Sequence, residues 1–118
     1  MLENISIGTD IEEIKRFEGK ETNFAFLSKV FTTPELEYSL KTKSPAQHLC
    51  ARFCAKEAIV KALTGLDIKD VYYSDIEIIN RKDGLPCAKI AKYPNLKIKV
   101  SLSHCKDYAT ANTIIEKL

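Results

Sequence analysis

Residues 46–63 read Ala46-Gln-His-Leu-Cys-Ala-Arg-Phe-Cys-Ala-Lys-Glu-Ala-Ile-Val-Lys-Ala-Leu63, an unbroken helical run in a chain of 118 residues. At about 100° per residue, its polar side chains fall into two stripes instead of one. His48, Arg52 and Lys56 form one stripe; Gln47, Glu57, Lys61 and Thr64 lie on nearly the opposite side. One intervening arc is bulky, with Leu49, Phe53, Val60 and Leu63. The other carries Ala51, Cys54, Ala55, Ala58 and Ala62, small enough for another backbone to come close. A surface helix has a single polar face. This one is therefore expected at the centre of the fold, packed on both arcs, with two polar lanes left open.

Ser44-Pro45 opens this helix and Thr64-Gly65 closes it. Thr32-Thr33-Pro34-Glu35 starts an earlier one, with threonine at the cap, proline in the first turn and an acid at the positive end of the dipole. Residues 12–31 read as short helical pieces. Before them, Ile5, Ile7, Thr9 and Ile11 alternate with Ser6, Gly8 and Asp10, the period of a half-buried strand. Asp10 thus lies on that strand's polar face, opposite the isoleucines. After the long helix come four strand-like runs: 75–79, 86–92, 96–103 and 108–115. Turn signals at Lys82-Asp83-Gly84 and Tyr93-Pro94-Asn95 separate the first three and predict an antiparallel meander. Helices early and strands late define an α+β fold, an antiparallel sheet packed against a long central helix.

The length suits a single domain over 1–118, since domains run to roughly 100–150 residues. No apolar stretch approaches the ~20 residues of a membrane helix, and Met1-Leu-Glu-Asn lacks the basic and apolar regions of a secretion signal. A cytoplasmic protein is expected. Cys50, Cys54, Cys87 and Cys105 then read as small packing residues, since their spacing fits no standard zinc pattern, with or without His48 and His104. Net charge is only +2, but the bases are clustered. Residues 38–61 hold five bases and only Glu57 as an acid, and residues 85–106 hold five lysines and no acid. Two such stretches can converge on an anionic ligand or be two solvated faces. Nucleic acid is not expected: there is no tryptophan or recognised binding motif, and a pI near 8.3 is low for that role.

Glu57 and Lys61 are spaced i,i+4, which reads first as an exposed helix ion pair and second as an acid and a base lining a cleft. Asp10 offers a second carboxylate. Two carboxylates together with phosphate oxygens suit Mg²⁺, which prefers oxygen ligands and keeps several waters. Periodicity alone does not bring Asp10 and Glu57 together.

Three segments together resemble the holo-acyl-carrier-protein synthases, a family of 4′-phosphopantetheinyl transferases. They are Ile7-Gly-Thr-Asp-Ile-Glu-Glu-Ile-Lys-Arg16; Arg52-Phe-Cys-Ala-Lys-Glu-Ala-Ile-Val-Lys-Ala62; and Val100-Ser-Leu-Ser-His104 followed by Tyr108-Ala109. The resemblance implies the 4′-phosphopantetheinyl transferase fold and transfer of 4′-phosphopantetheine from coenzyme A to a serine of apo acyl carrier protein, releasing adenosine 3′,5′-bisphosphate. It further implies that Asp10 and Glu57 hold Mg²⁺ and that Lys61 neutralises the phosphate under attack, these three being the catalytic set. Coenzyme A would meet Lys43, Arg52, Lys61, Gly65, Gly84, Pro86, Ser103 and His104, and Arg16 would grip the acidic carrier protein. The family's Gly-x-Gly after the signature helix is Thr64-Gly65-Leu66 here. A homotrimer with sites between subunits is implied too, with the His48, Arg52 and Lys56 lane facing a neighbour. Competing readings are a non-catalytic module that binds carrier protein or nucleotide, and a small nucleotide phosphatase.

Overall fold

The computed structural model describes residues 2–118; Met1, the first position of the N-terminal reading, lies outside them. Strand β1 (Ile5–Glu13) leads through a 3-10 turn (Ile14–Phe17) to helices α1 (Phe24–Val30), α2 (Thr33–Leu40) and α3 (Pro45–Gly65). Strands β2 (Ile76–Asn80), β3 (Pro86–Ile90), β4 (Leu96–His104) and β5 (Tyr108–Lys117) complete the chain. Helix α2 begins as the capping signal predicts: Glu35 N–H donates to Thr32 Oγ1 at 3.4 Å, and Thr32 N–H donates back to Glu35 Oε1 at 2.7 Å.

The meander is corrected to two sheets, β1-β5-β4 and the hairpin β2-β3. Between β3 and β4, Tyr93 N–H donates to Ile90 O and Leu96 N–H to Tyr93 O, two successive turns around Pro94 that carry the chain round a corner. The first and last strands pair along their whole length, from Ile5 opposite Glu116 to Glu13 opposite Tyr108.

Helix α3 lies across this three-stranded sheet with its small arc against it. Cys50, Cys54, Ala55, Ala58 and Ala62 are fully buried there, as are Ala109 and Ala111 of β5. The face of β1 that packs on α3 is the polar one, Ser6, Gly8, Asp10 and Glu12; Ile7 and Ile11 point outward, 73% and 61% exposed. Small residues win the inner position because the backbones nearly touch. A Cβ on Gly8 would lie 1.9 Å from Ala58 O, and one on Gly65 would lie 2.3 Å from Ser6 Oγ.

Two of the three residues in one of the open lanes expected on α3, Arg52 and Lys56, are buried, and His48 is half-buried. Lys56 is completely buried, and its ammonium donates to Val30 O at 2.7 Å, Tyr73 O at 2.8 Å and Ile76 O at 2.7 Å, with Glu35 Oε1 also 2.7 Å away. Arg52 is 3% exposed, its guanidinium 4.4 Å from the Tyr38 ring centroid and 3.2 Å from Asn80 Oδ1. Neither side chain is free to face a second subunit. The cysteine expectation holds for buried Cys50 and Cys54 but not for Cys87 and Cys105, which are exposed.

Two substitutions probe these contacts. Gly8→Ala should cost at least about 3 kcal/mol, because the added methyl meets helix backbone that cannot rotate away; thermal unfolding followed by circular dichroism measures it. Lys56→Met strands Glu35 in the interior and should cost about 3–5 kcal/mol. Lys56→Met combined with Glu35→Leu should recover part of that loss.

Candidate active site

Two strand residues beyond the tight crossing at Gly8, Asp10 comes to the border of α3 with its side chain 10% exposed. Its Oδ1 is 3.4 Å from Lys61 Nζ, and Lys61 also donates to Thr9 O at 2.9 Å. Its Oδ2 is buried with no hydrogen-bond partner. Glu57, one turn before Lys61, accepts a hydrogen bond from the Tyr73 hydroxyl through Oε1. Glu12, the next inward residue of β1, is paired with Arg16, whose guanidinium lies 5.8 Å from the Phe53 ring centroid.

These acids share one field. Tyr73 is pushed up to about 12, first by its hydrogen bond to Glu57, then by burial, with the charges of Glu57, Asp10 and Glu12 adding to it. Its phenol therefore stays protonated and donating at neutral pH. Burial, followed by the neighbouring Asp10 carboxylate, raises the Glu12 carboxyl above its ordinary value. Sequence reasoning did not single out Tyr73 or Glu12 as site residues. Glu12 was visible as the inward neighbour of Asp10 at strand period, whereas Tyr73 sits in a connecting turn with no periodic signal.

Asp10 supplies the one observation that fits a Mg²⁺ ion here. A buried carboxylate oxygen without a partner is costly, and a hard cation is the partner that satisfies it. Among the described residues, no three carboxylate, imidazole or thiol side chains converge into a complete metal shell. An ion held by Asp10 and Glu57 would thus complete its coordination with water and substrate oxygens, as Mg²⁺ ordinarily does.

The remaining predicted residues lie elsewhere. His104 closes β4, two strands from Glu12 across the sheet, roughly 10 Å away, and its Nε2 is 3.0 Å from Gln47 Nε2 near the start of α3. Ser103 points to the opposite, outer face of the sheet and is exposed. Gly84, at a φ of 87°, makes the β2–β3 turn, and Pro86 pairs with Asn80, which holds Arg52. Arg52 is 3% exposed; its guanidinium meets Asn80 and Tyr38, while its Nε is buried without a hydrogen-bond partner. Gly65 serves the approach of α3 to Ser6, and Lys43 is exposed. Lysines of the two basic stretches come together where Lys61 and Lys99 border an open groove of about 640 Å³ with Ile7, Val100 and Ile114.

An α+β fold in which a strand carrying Gly8 and Asp10 crosses a helix carrying Lys56, Glu57 and Lys61 marks a class. The chain belongs to the 4′-phosphopantetheinyl transferase superfamily, whose family model matches residues 6–113. It is 43% identical over 115 residues to the holo-[acyl-carrier-protein] synthase of Protochlamydia amoebophila (strain UWE25), covering 91% of this chain and 93% of that protein. It is 41% identical over 121 residues to the corresponding synthase of Clostridium tetani (strain Massachusetts / E88), covering 95% of each. The structure of a holo-(acyl-carrier-protein) synthase from Bacillus anthracis in complex with CoA (3′,5′-ADP) superposes with a TM-score of 0.80 at 29% identity, covering 96% of both chains. That from Helicobacter pylori in complex with coenzyme A gives 0.79 at 25% identity, covering 93% of this chain and 99% of that one.

Burial, then Arg52 and His104, lowers the His48 imidazole below its ordinary value. A base depressed in the folded state costs nothing above its unfolded pKa and removes stability as pH falls toward its folded value. Stability should therefore drop as the solution is acidified below about pH 6.5, and Arg52→Gln should raise the His48 value. An NMR titration of the imidazole protons reads both.

Proposed function

We propose that this chain transfers 4′-phosphopantetheine from coenzyme A to a serine of an apo acyl carrier protein, releasing adenosine 3′,5′-bisphosphate. The observation that carries this reading is Asp10, with one buried oxygen unmatched and the other facing Lys61, beside the helix that presents Glu57. Asp10 and Glu57 would hold Mg²⁺, which when bound would supply positive charge against the pyrophosphate oxygens. Lys61, with its side chain 55% exposed, moves from Thr9 O to the oxygens of the phosphate under attack. The serine oxygen forms the new P–O bond as the P–O bond to adenosine 3′,5′-bisphosphate breaks, its hydroxyl proton passing to solvent water, and positioning and charge stabilisation supply most of the acceleration.

We further infer that the protein assembles as a homotrimer in the cytoplasm, with each site completed by a neighbour. On the outer sheet face Ile5, Ile7 and Ile114 form an exposed apolar cluster, 39%, 73% and 53% exposed, with Ile11, 61% exposed, beyond Thr9 on the same strand. Exposed apolar side chains grouped in this way favour burial against a second copy. His104 and Ser103, remote from their own chain's Asp10, then serve the coenzyme A of the adjoining site, together with Lys43, Gly84 and Pro86. Arg16, with its side chain 56% exposed, offers charge to the acidic carrier, an attraction that speeds encounter and weakens with salt.

Mass spectrometry of apo carrier protein incubated with coenzyme A and Mg²⁺ should show a gain of one phosphopantetheine. A carrier of unchanged mass would leave only a binding module, and coenzyme A hydrolysed without acceptor would indicate a phosphatase. Glu57→Gln should lower kcat/KM by about 100-fold or more with the fold intact. Light scattering should give three chains per particle, and Ile7→Glu should yield monomers of low activity; an active wild-type monomer would remove the shared-site reading.

A further inference from the structure

Tyr73 is held by three side chains of α3, Phe53 and the two residues about one turn on from it, Lys56 and Glu57. Its ring packs on Phe53 with centroids 5.6 Å apart. Its carbonyl accepts from Lys56 Nζ at 2.8 Å, and the same ammonium bonds Ile76 O at 2.7 Å, just past the 3-10 turn (Tyr73–Asp75) that carries the tyrosine. Its hydroxyl donates to Glu57 Oε1. Backbone, ring and hydroxyl are thus all pinned to the helix that bears the acid.

We propose that Tyr73 is a positioning residue for the metal site: its hydroxyl occupies Glu57 Oε1 and presents Oε2 to the cation. The proposal rests on the reading of Asp10 and Glu57 as metal ligands. Glutamate is a flexible ligand with three rotatable side-chain bonds, and a carboxylate offers two equivalent oxygens. A neutral donor fixed on one of them removes the choice between one-oxygen and two-oxygen coordination and holds the carboxylate plane. Lys56 takes part at one remove. By tying down the tyrosine's carbonyl, it stops the turn from swinging away with the hydroxyl, so the buried cage and the candidate site are mechanically continuous.

The test is Mn²⁺ binding to the full chain, followed by electron paramagnetic resonance without coenzyme A. Tyr73→Phe keeps the ring on Phe53 and removes only the hydroxyl. It should weaken Mn²⁺ binding about tenfold and raise by a similar factor the Mg²⁺ concentration for half-maximal turnover. The KM for coenzyme A at saturating metal and the melting temperature should stay near those of the unaltered chain. Mn²⁺ affinity within twofold of the unaltered chain overturns the proposal, provided Glu57→Gln has lost binding in the same assay. If Glu57→Gln binds Mn²⁺ normally, the ligand assignment fails, and this inference with it. Should Tyr73→Phe fold poorly, ¹³C-tyrosine NMR of the unaltered chain decides: Mg²⁺ should shift one phenolic carbon, and five unmoved tyrosine signals overturn the proposal.

Discussion

Lys56 and Glu35 form an ion pair that no solvent reaches, and most of the helical half of the molecule is hung on it. Four oxygens surround one ammonium with three N–H donors: Glu35 Oε1 and the carbonyls of Val30, Tyr73 and Ile76. Glu35 in turn accepts from Thr32 N–H at the start of α2 and from Ile78 N–H in β2. The end of α1, the start of α2, the middle of α3, the turn before β2 and β2 itself therefore converge on two side chains. Burial pulls the Lys56 amine down and Glu35 draws it back up. A buried pair of this kind contributes little net stability compared with an apolar replacement, but it tolerates no missing partner. Its consequence is geometric: it sets where the β2–β3 hairpin and the Tyr73 turn stand against α3.

A second constraint, on the other side of α3, is the absence of a side chain at Gly8. Contact between the β1 and α3 backbones there brings the next inward strand residue, Asp10, to within reach of Lys61. The site is built between these two constraints. Asp10 is delivered by the tight crossing, while Glu57 is held by a tyrosine that Lys56 anchors. Catalysis of phosphoryl-type transfer depends mainly on charged groups already standing in place before the substrate arrives, and in the proposed reaction both devices would serve that end.

Local signals made most of the secondary structure readable. The Thr32 capping box, the Ser44-Pro45 start and the alternation of residues 96–103 all name elements found in the fold. The small arc of α3 correctly announced a close backbone approach. The polarity of β1 left its inner face undecided, because alternation says that two faces differ without saying which is inside; the helix selected the face with the smallest side chains. The open lane of Arg52 and Lys56 misled for a related reason. Charge on a helix reads as solvent-facing until distant carbonyls and a distant carboxylate supply the missing partners. The four late strands were found, but strand pairing depends on the corner at Pro94 and on the return of β5 to β1.

Short-range chemistry is thus inscribed in the chain itself: which residues cap, turn, alternate and present a carboxylate or an amine, together with the motif residues that mark the family. Folding alone decided which of these groups meet. Asp10 and Lys61 are separated by 50 intervening residues, and Tyr73 meets Glu57 from a turn without pattern. Such contacts arise from packing between elements, where the geometry of one close crossing and one buried charge outweighs the periodicity of any single segment.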